Sequence, residues 1–282
     1  MMLNICLDVL LTEKSQNWFS EKVRQISEGA KDSQFYLAFS SVPRRTSKGE
    51  LSLNEEQLRK LRAIQPAFNP STWTIDELCR VTLMTCLPSD SNQAILEKLF
   101  NTADMRESVA LYKGLSFLKN AEDFKLRAID GLRTNITPVF DAIAMDNPFA
   151  SNYFEEPAWN QMVLKAIFME RPIYRIYGVD QGRNKTLALI LQDYAHERWS
   201  AHRSVSPELW RNVSGYVDDA LSEDLERIMR EGTPLERFAA AKVLAACDLG
   251  EGKAALERAE IEAANLPSWE EIGASYEGQR TI

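Results

Sequence analysis

Helix start signals recur along this chain, and they constrain its fold more than any other feature. Such a signal, the capping box, places Ser, Thr or Asp at the helix start and an acidic side chain three positions later, which satisfies two free backbone N–H groups. Four occur, at residues 52–55, 74–77, 104–107 and 233–236. A strand is indicated only at residues 34–39, which we expect instead to belong to a helix that ends before Pro43. The sequence therefore predicts an all-α fold, an irregular array of antiparallel helix pairs of the HEAT-like, α-solenoid type.

Composition and charge indicate how the chain is organised. With 282 residues, of which 45% are hydrophobic and 26% charged, the chain has ordinary globular composition. We predict a single all-helical domain over residues 1–282, with N-terminal helices over 1–121, a core over 122–211 and acidic C-terminal helices over 212–282. The last segment carries 15 acidic and 7 basic side chains and so accounts for the whole net charge of −8. It is either a solvated helical surface or a docking face for a basic partner.

Several classes of protein lack support in the sequence. No basic stripe is present, so we expect no nucleic-acid partner. No apolar run approaches the roughly 20 residues that span a bilayer, and the N-terminus lacks the basic segment of a secretory signal. The four cysteines show neither disulfide-type nor metal-type spacing, which predicts reduced thiols in a cytoplasmic protein. Nucleotide phosphate loops are also missing, and we expect no cofactor.

Single charges inside apolar helical runs mark residues 131–211. Asp141, Lys165 and Asp193 each have mostly apolar neighbours along the chain. An unpaired buried charge costs several kcal/mol. We therefore expect these side chains to be turned inward and to be either paired or used.

Two interpretations of these charges remain open. Asp141 and Lys165 could form ion pairs that tie a helix over residues 124–146 to a helix over 157–170. Alternatively, a polar pocket lies between those helices, with Lys165 or Arg175 facing an anionic ligand group. The pocket candidates are Arg133, Asn135, Asp141, Asn147, Trp159, Asn160, Lys165, Tyr174, Arg175, Asp193, His196, Arg198 and Trp199.

One helix carries a titratable face. Asp193, His196 and Glu197 stand at positions i, i+3 and i+4, and hence on the same side of the helix. Two carboxylates and an imidazole could bind a metal or perform acid–base chemistry, but a second carboxylate-x-x-His unit is missing. We predict no metal, and we interpret His196 as a hydrogen-bonded helix residue.

Seven blocks of sequence carry a resemblance to a known family. They are Leu-Arg-Thr-Asn at 132–135, Val-Phe-Asp-Ala-Ile-Ala at 139–144, Asp-Asn-Pro at 146–148, Trp-Asn-Gln-Met-Val-Leu-Lys at 159–165, Arg-Pro-Ile-Tyr-Arg-Ile at 171–176, Asp-Tyr-Ala-His-Glu-Arg-Trp at 193–199 and Pro-Glu-Leu-Trp at 207–210. Together they resemble the shared core of the EboA family. The resemblance implies a bacterial protein from an operon for small-molecule metabolism, beside a UbiA-type prenyltransferase, a sugar-phosphate cyclase, a metal-dependent hydrolase and a TIM-barrel protein. It supplies no catalytic residues, because the family's own molecular activity is unassigned.

Three functions are compatible with these observations. The first, which we expect, is an EboA-like accessory protein of secondary-metabolite biosynthesis or transport, which binds a small-molecule metabolite or proteins of the same operon. The second is an enzyme that acts on an anionic or prenylated metabolite with a pocket of Asp141, Lys165, Arg175, Asp193 and His196. In the third, those side chains are scattered, mutually paired and only structural.

Overall fold

The computed structural model describes residues 2–10, 12–247, 256 and 262–280. Over these residues the chain is all-α, as predicted; they contain no β-strand beyond a single bridge between Glu50 and Thr74. The chain folds into two compact units, Met1–Phe154 and Glu155–Ile282. The solenoid arrangement and the single domain stay predictions. No helix among the described residues is both long and apolar enough to cross a bilayer.

The first unit is built around one buried helix. Its helices are α1 (Met2–Val9), α2 (Glu13–Ser27), α3 (Asp32–Arg45), α4 (Glu55–Arg62), α5 (Ile75–Thr85), α6 (Asn92–Phe100), α7 (Met105–Leu115), α8 (Lys125–Gly131), α9 (Thr137–Ala144) and α10 (Phe149–Tyr153), with 3-10 helices at Pro70–Thr72 and Ala121–Phe124. Nine of the eleven residues of α5 are buried, and α1, α2, α3 and α7 all pack against it. A helix that is buried on nearly all sides belongs at the centre of a bundle.

The second unit is organised around a 3-10 helix. Its α-helices are α11 (Glu156–Phe168), α12 (Lys185–Ser200), α13 (Asp219–Glu231), α14 (Pro234–Ala245) and α15 (Trp269–Arg280), with 3-10 helices at Ile173–Arg175, Pro207–Val213 and Ala263–Asn265. All seven residues of Pro207–Val213 are buried. This 3-10 helix packs against α12, α14, α15 and the 3-10 helix Ile173–Arg175, so any polar side chain on it is enclosed by the unit.

Three of the four predicted capping boxes are present, at the starts of α5, α7 and α14. The fourth prediction, over residues 52–55, is wrong by two positions. Asn54 is the cap of α4, and its side chain accepts a hydrogen bond from the backbone N–H of Gln57 at 2.9 Å. In return, the backbone N–H of Asn54 donates to the side chain of Gln57. Asn and Gln perform the same exchange as Ser and Glu, so the box is displaced rather than lost.

Two prolines, Pro43 and Pro138, stand inside α-helices, but at different positions. Residues 34–39 are helical as predicted, but α3 continues through Pro43 to Arg45. Proline cannot donate to the carbonyl four residues earlier, and here the guanidinium of Arg80 donates to that carbonyl, of Phe39, at 3.3 Å. The predicted helix over residues 124–146 is divided into α8 and α9, and Pro138 stands in the first turn of α9, a position that proline favours.

Candidate functional site

A cavity of about 290 Å³ lies within the second unit. This volume is at the lower end of the range for small-molecule sites. The lining residues come from the segment after α11, the buried 3-10 helix and α15: Glu170, Arg171, Pro172, Glu208, Tyr276, Glu277 and Arg280. Three carboxyl groups, two guanidinium groups and one phenol therefore face a space of metabolite size.

Glu208 is the most enclosed charged group of this cavity, with 2% of its surface exposed. Ser206 caps the 3-10 helix that carries it, and Pro207 occupies the first turn. The carboxylate accepts hydrogen bonds from the backbone N–H groups of Ile173 at 3.2 Å and Tyr174 at 2.5 Å. No described Lys, Arg or His forms an ion pair with it. Glu208 thus holds the 3-10 helix Ile173–Arg175 in place, while its own charge has no described counterion within ion-pair distance.

Burial controls the protonation of this carboxyl group. Desolvation raises the pKa of Glu208 to about 7. The two backbone N–H groups and Arg211 lower this pKa, but their effect is smaller than that of desolvation. Glu277 adds a smaller contribution in the upward direction. A carboxyl group that titrates near neutral pH can hold or release a proton under cellular conditions, which is a property common at functional sites.

The last helix supplies the other wall. The hydroxyl of Tyr174 donates to Glu277 Oε2 at 2.7 Å, and Arg175 Nη1 lies 4.0 Å from Glu277 Oε1. Burial, followed by this hydrogen bond, raises the pKa of Tyr174 to about 12. Arg280 pairs with Glu170 and lies 5.5 Å from the ring centroid of Tyr276. These contacts fix α15 against the segment that precedes α12.

Close approach of α15 depends on a glycine. A Cβ atom at Gly273 would clash with the ring of Tyr174 and would lie 2.7 Å from Glu208 Oε1. Only glycine lets the helix backbone come this near to the cavity floor. The geometry of the cavity is therefore encoded partly in α15.

Two of the predicted pocket residues, Tyr174 and Arg175, lie beside this cavity, through their contacts with Glu277. Asn160 forms a reciprocal amide pair with Asn184, the cap of α12, at 3.2 and 2.7 Å. Trp159 is buried and packs on Gly182, and its indole N–H has no hydrogen-bond partner in the described part of the chain. These two side chains serve the packing of α11 against the start of α12.

We expect Gly182→Ala to destabilise the protein by about 2 kcal/mol, the usual cost of overpacking a rigid core contact. The new methyl group would overlap the six-membered ring of Trp159, which is too large to turn aside. Urea unfolding measures the change. Gly278→Ala is the matched control, because a Cβ there meets nothing within 4 Å; equal stability of the two variants would contradict the packing described.

The titratable face of α12 does not point inward as a whole. His196 pairs with Asp224 at 2.7 Å and packs on Trp199, whose ring stacks on Trp210. Asp193 is exposed, so its predicted inward orientation is wrong. The buried line of α12 runs through Leu187, Leu191 and Ala195, and residue 193 lies about 200° from residue 191 around the helix.

Arg198, the remaining pocket candidate on α12, donates to the carbonyl of Ser204 at 3.0 Å. It therefore fixes the turn that follows the helix. Its contact with backbone indicates a local role, whereas membership of a pocket stays a prediction.

The other pocket candidates are distributed over both units. In the first unit, Arg133 and Asn135 are exposed between α8 and α9. Buried Asn147 donates to the carbonyl of Ala142 at 2.8 Å and accepts from the N–H of Phe149 at 3.0 Å, so it shapes the turn before α10.

The predicted partners Asp141 and Lys165 belong to different units. Both are half-buried, and desolvation lowers the pKa of Lys165. Their predicted association, either as an ion pair or as the walls of a pocket, stays a prediction.

Sequence reasoning misses the residues that line the cavity. A signal exists for Glu208, since it stands between Pro207 and the apolar pair Leu209-Trp210 in one of the seven blocks that resemble the family. Tyr276, Glu277 and Arg280 carry no signal, because their neighbours are small and polar. Among the described residues, no group of three or more His, Cys, Asp or Glu side chains is arranged to hold a metal.

Comparison with known proteins gives one family. The family model described as metabolite traffic protein EboA matches residues 1–214. No curated protein and no solved structure matches significantly. The matched range includes Glu170, Arg171, Pro172 and Glu208 of the cavity, whereas the α15 residues follow it.

Proposed function

Since this chain belongs to the EboA family of metabolite traffic proteins, we propose that it binds a small polar metabolite in the cavity of its second unit and releases it chemically unchanged. The family description supports the general role, and the cavity supports the proposal that a small molecule binds in the second unit. This is the accessory function expected from the sequence, now attached to specific residues.

One observation carries the proposal, namely a cavity of about 290 Å³ with a buried carboxyl group in its wall. Binding sites combine an enclosed volume with a few fixed polar groups that orient the ligand. Glu208 is fixed by two backbone N–H groups, and Glu277 by the hydroxyl of Tyr174. Among the described residues that line it, none is a Ser, Cys, Lys or His that could act as a nucleophile.

The wider setting is part of the same proposal. We propose that the metabolite belongs to bacterial secondary metabolism, that the protein works in the cytoplasm, and that proteins of the same operon deliver or receive the metabolite. Nucleic acid is not among the proposed partners, because the net charge of −8 would repel phosphates.

An enzyme remains the second candidate, and the pKa of Glu208 favours it. A carboxyl group with a pKa of about 7 is suited to general acid–base catalysis. The enzyme predicted from the sequence uses other residues, of which Arg175 faces Glu277 while His196 pairs with Asp224. An enzyme at the cavity described here would instead depend on Glu208.

Ligand capture distinguishes the two candidates. The purified chain is incubated with a low-molecular-mass extract of the native cells. Ultrafiltration then separates the protein, with any bound compound, from the free compounds, and mass spectrometry identifies the compounds that the protein retains. We expect retention of a compound whose mass equals that in the extract, and at least a tenfold loss of retention in Glu208→Gln/Arg280→Gln. The control, Glu223→Gln/Arg230→Gln, removes the same charges from exposed positions on α13.

Two results would contradict the proposal that the protein binds a metabolite and releases it unchanged. Equal retention by the two double variants would show that the cavity is not the binding site. Conversion of the retained compound to a product of different mass would establish the enzyme if the single variant Glu208→Gln loses this conversion.

A further inference from the structure

We propose that the cavity recognises a zwitterionic metabolite, with a primary ammonium group bound by Glu208 and Glu277 and an acidic group bound by Arg171 and Arg280. This inference rests on the proposed function and names the chemical class of its ligand. Its basis is the presence of three carboxyl and two guanidinium groups in the wall of one cavity.

Glu208 lacks a cation of its own within ion-pair distance. It is buried and forms no ion pair with any described residue, although a buried carboxylate is costly without one. The nearest guanidinium on the same 3-10 helix, that of Arg211, is engaged by Asp180 at 2.9 and 2.7 Å and by Glu270 at 2.9 Å. A cation from the ligand would compensate Glu208 without disturbing these pairs.

An ammonium group suits Glu208 and Glu277 better than a hydroxyl group or a hard metal ion does. It offers three N–H donors, and a charge–charge contact compensates a buried carboxylate far better than a neutral hydroxyl group. Ca²⁺ and Mg²⁺ prefer six or more oxygen ligands, whereas Glu208 and Glu277 already accept hydrogen bonds from Ile173, Tyr174 and the Tyr174 hydroxyl.

The two guanidinium groups that line the cavity can take an anionic group. Arg280 donates to the carbonyl and to the carboxylate of Glu170 through two of its nitrogens, and a guanidinium has five N–H donors. Arg171 lines the same space. Paired guanidinium groups suit the planar, bidentate geometry of a carboxylate or the oxygens of a phosphate.

Binding of an ammonium group is coupled to a proton on Glu208. The titratable and charged groups around this carboxyl are Tyr174, Arg211, Tyr276 and Glu277, and no side chain of α12 or α14 bonds to it in the described residues. With a pKa of about 7, its ionised fraction rises roughly tenfold between pH 6 and pH 8. The apparent affinity for an amine rises by the same factor, since only the ionised form is competent.

Acetylation of primary amines tests the inference directly. The probe is the low-molecular-mass extract of native cells, used untreated and after reaction with acetic anhydride in aqueous buffer. At pH 8 we expect the untreated extract to supply a retained compound, the acetylated extract to supply none, and retention to weaken about tenfold at pH 6. Glu208→Gln abolishes retention, whereas Glu223→Gln preserves it.

The outcomes separate this inference from the function on which it rests. Equal retention from both extracts would be consistent with the proposed binding of a metabolite but would overturn its assignment as a zwitterion. Retention that is equal at pH 6 and pH 8 would also overturn it. No retention from either extract would overturn both proposals, the binding of a metabolite and the class of its ligand.

Discussion

Arg80→Met is expected to lower the free energy of unfolding by about 3–5 kcal/mol, the cost of removing one partner from a buried ion pair. Arg80 and Asp76 are almost fully enclosed, with 3% and 0% of their side chains exposed, and their closest atoms are 3.4 Å apart. Methionine keeps the aliphatic volume but leaves Asp76 and the nearby Glu107 without this guanidinium. Urea unfolding at pH 7 provides the measurement.

Two further variants show whether the charge is the cause. Arg106 also pairs with Asp76, at 3.5 Å, but is largely exposed, so Arg106→Met should cost less than about 1 kcal/mol. In Arg80→Met/Asp76→Asn the charge of Asp76 is removed while that of Glu107 remains, and we expect this double variant to recover part of the loss. A double variant that is less stable than Arg80→Met would indicate that packing, rather than charge, sets the cost.

The helices of this protein can be predicted because their signals are local. A capping box needs only four consecutive residues, and those at α5, α7 and α14 form as the sequence indicates. The end of α3 cannot be predicted in the same way. Its passage through Pro43 depends on Arg80, which donates to Phe39 from a helix 41 positions away.

The rule that a lone charge in an apolar run is paired or used is sound, but sequence alone does not select the right residues for it. Asp193 is exposed because it lies opposite the buried line of α12. The same rule describes Asp76 and Arg80 in α5, which pair four residues apart, and Glu208 in its 3-10 helix. Burial of a single position depends on helix phase and on neighbours, and these follow from tertiary packing.

The opposite wall of the cavity lies beyond any local pattern. Glu277 meets Tyr174 across 103 positions of sequence, and the approach of its helix depends on Gly273. No periodicity or motif marks such a contact, because nothing in the residues around Glu277 distinguishes it from a solvated helix surface. From its sequence, the helix that carries Glu277 would be expected to be solvent-exposed. The carboxyl group of Glu277 therefore becomes part of the site only through tertiary packing.

Glu208→Gln is expected to remove a loss of stability that the unaltered chain undergoes as pH rises. Between pH 4.5 and alkaline pH, the stability of the variant relative to the unaltered chain should increase by about 3 kcal/mol. The pKa of Glu208 is about 7 in the folded protein, above the ordinary value of 4.5, because burial disfavours the carboxylate. The folded state therefore holds this proton more tightly than the unfolded state does. Stability is reduced progressively as pH rises from 4.5 to 7 and stays reduced above it, at about 1.4 kcal/mol per pKa unit.

Glutamine cannot ionise, and its single carbonyl oxygen can accept only one of the two hydrogen bonds that Ile173 and Tyr174 donate to the two carboxylate oxygens. The lost hydrogen bond shifts the stability of the variant by the same amount at every pH, so the pH dependence still reports the ionisation of Glu208. Urea unfolding of both proteins from pH 5 to pH 8.5 should give curves that separate through pH 7 by about 2–3 kcal/mol. The exposed Glu223→Gln controls for the loss of one negative charge and should follow the unaltered chain. Parallel curves for Glu208→Gln and the unaltered chain would mean that Glu208 is compensated by a cation in the folded protein, which would remove the reason for an ammonium group to bind there.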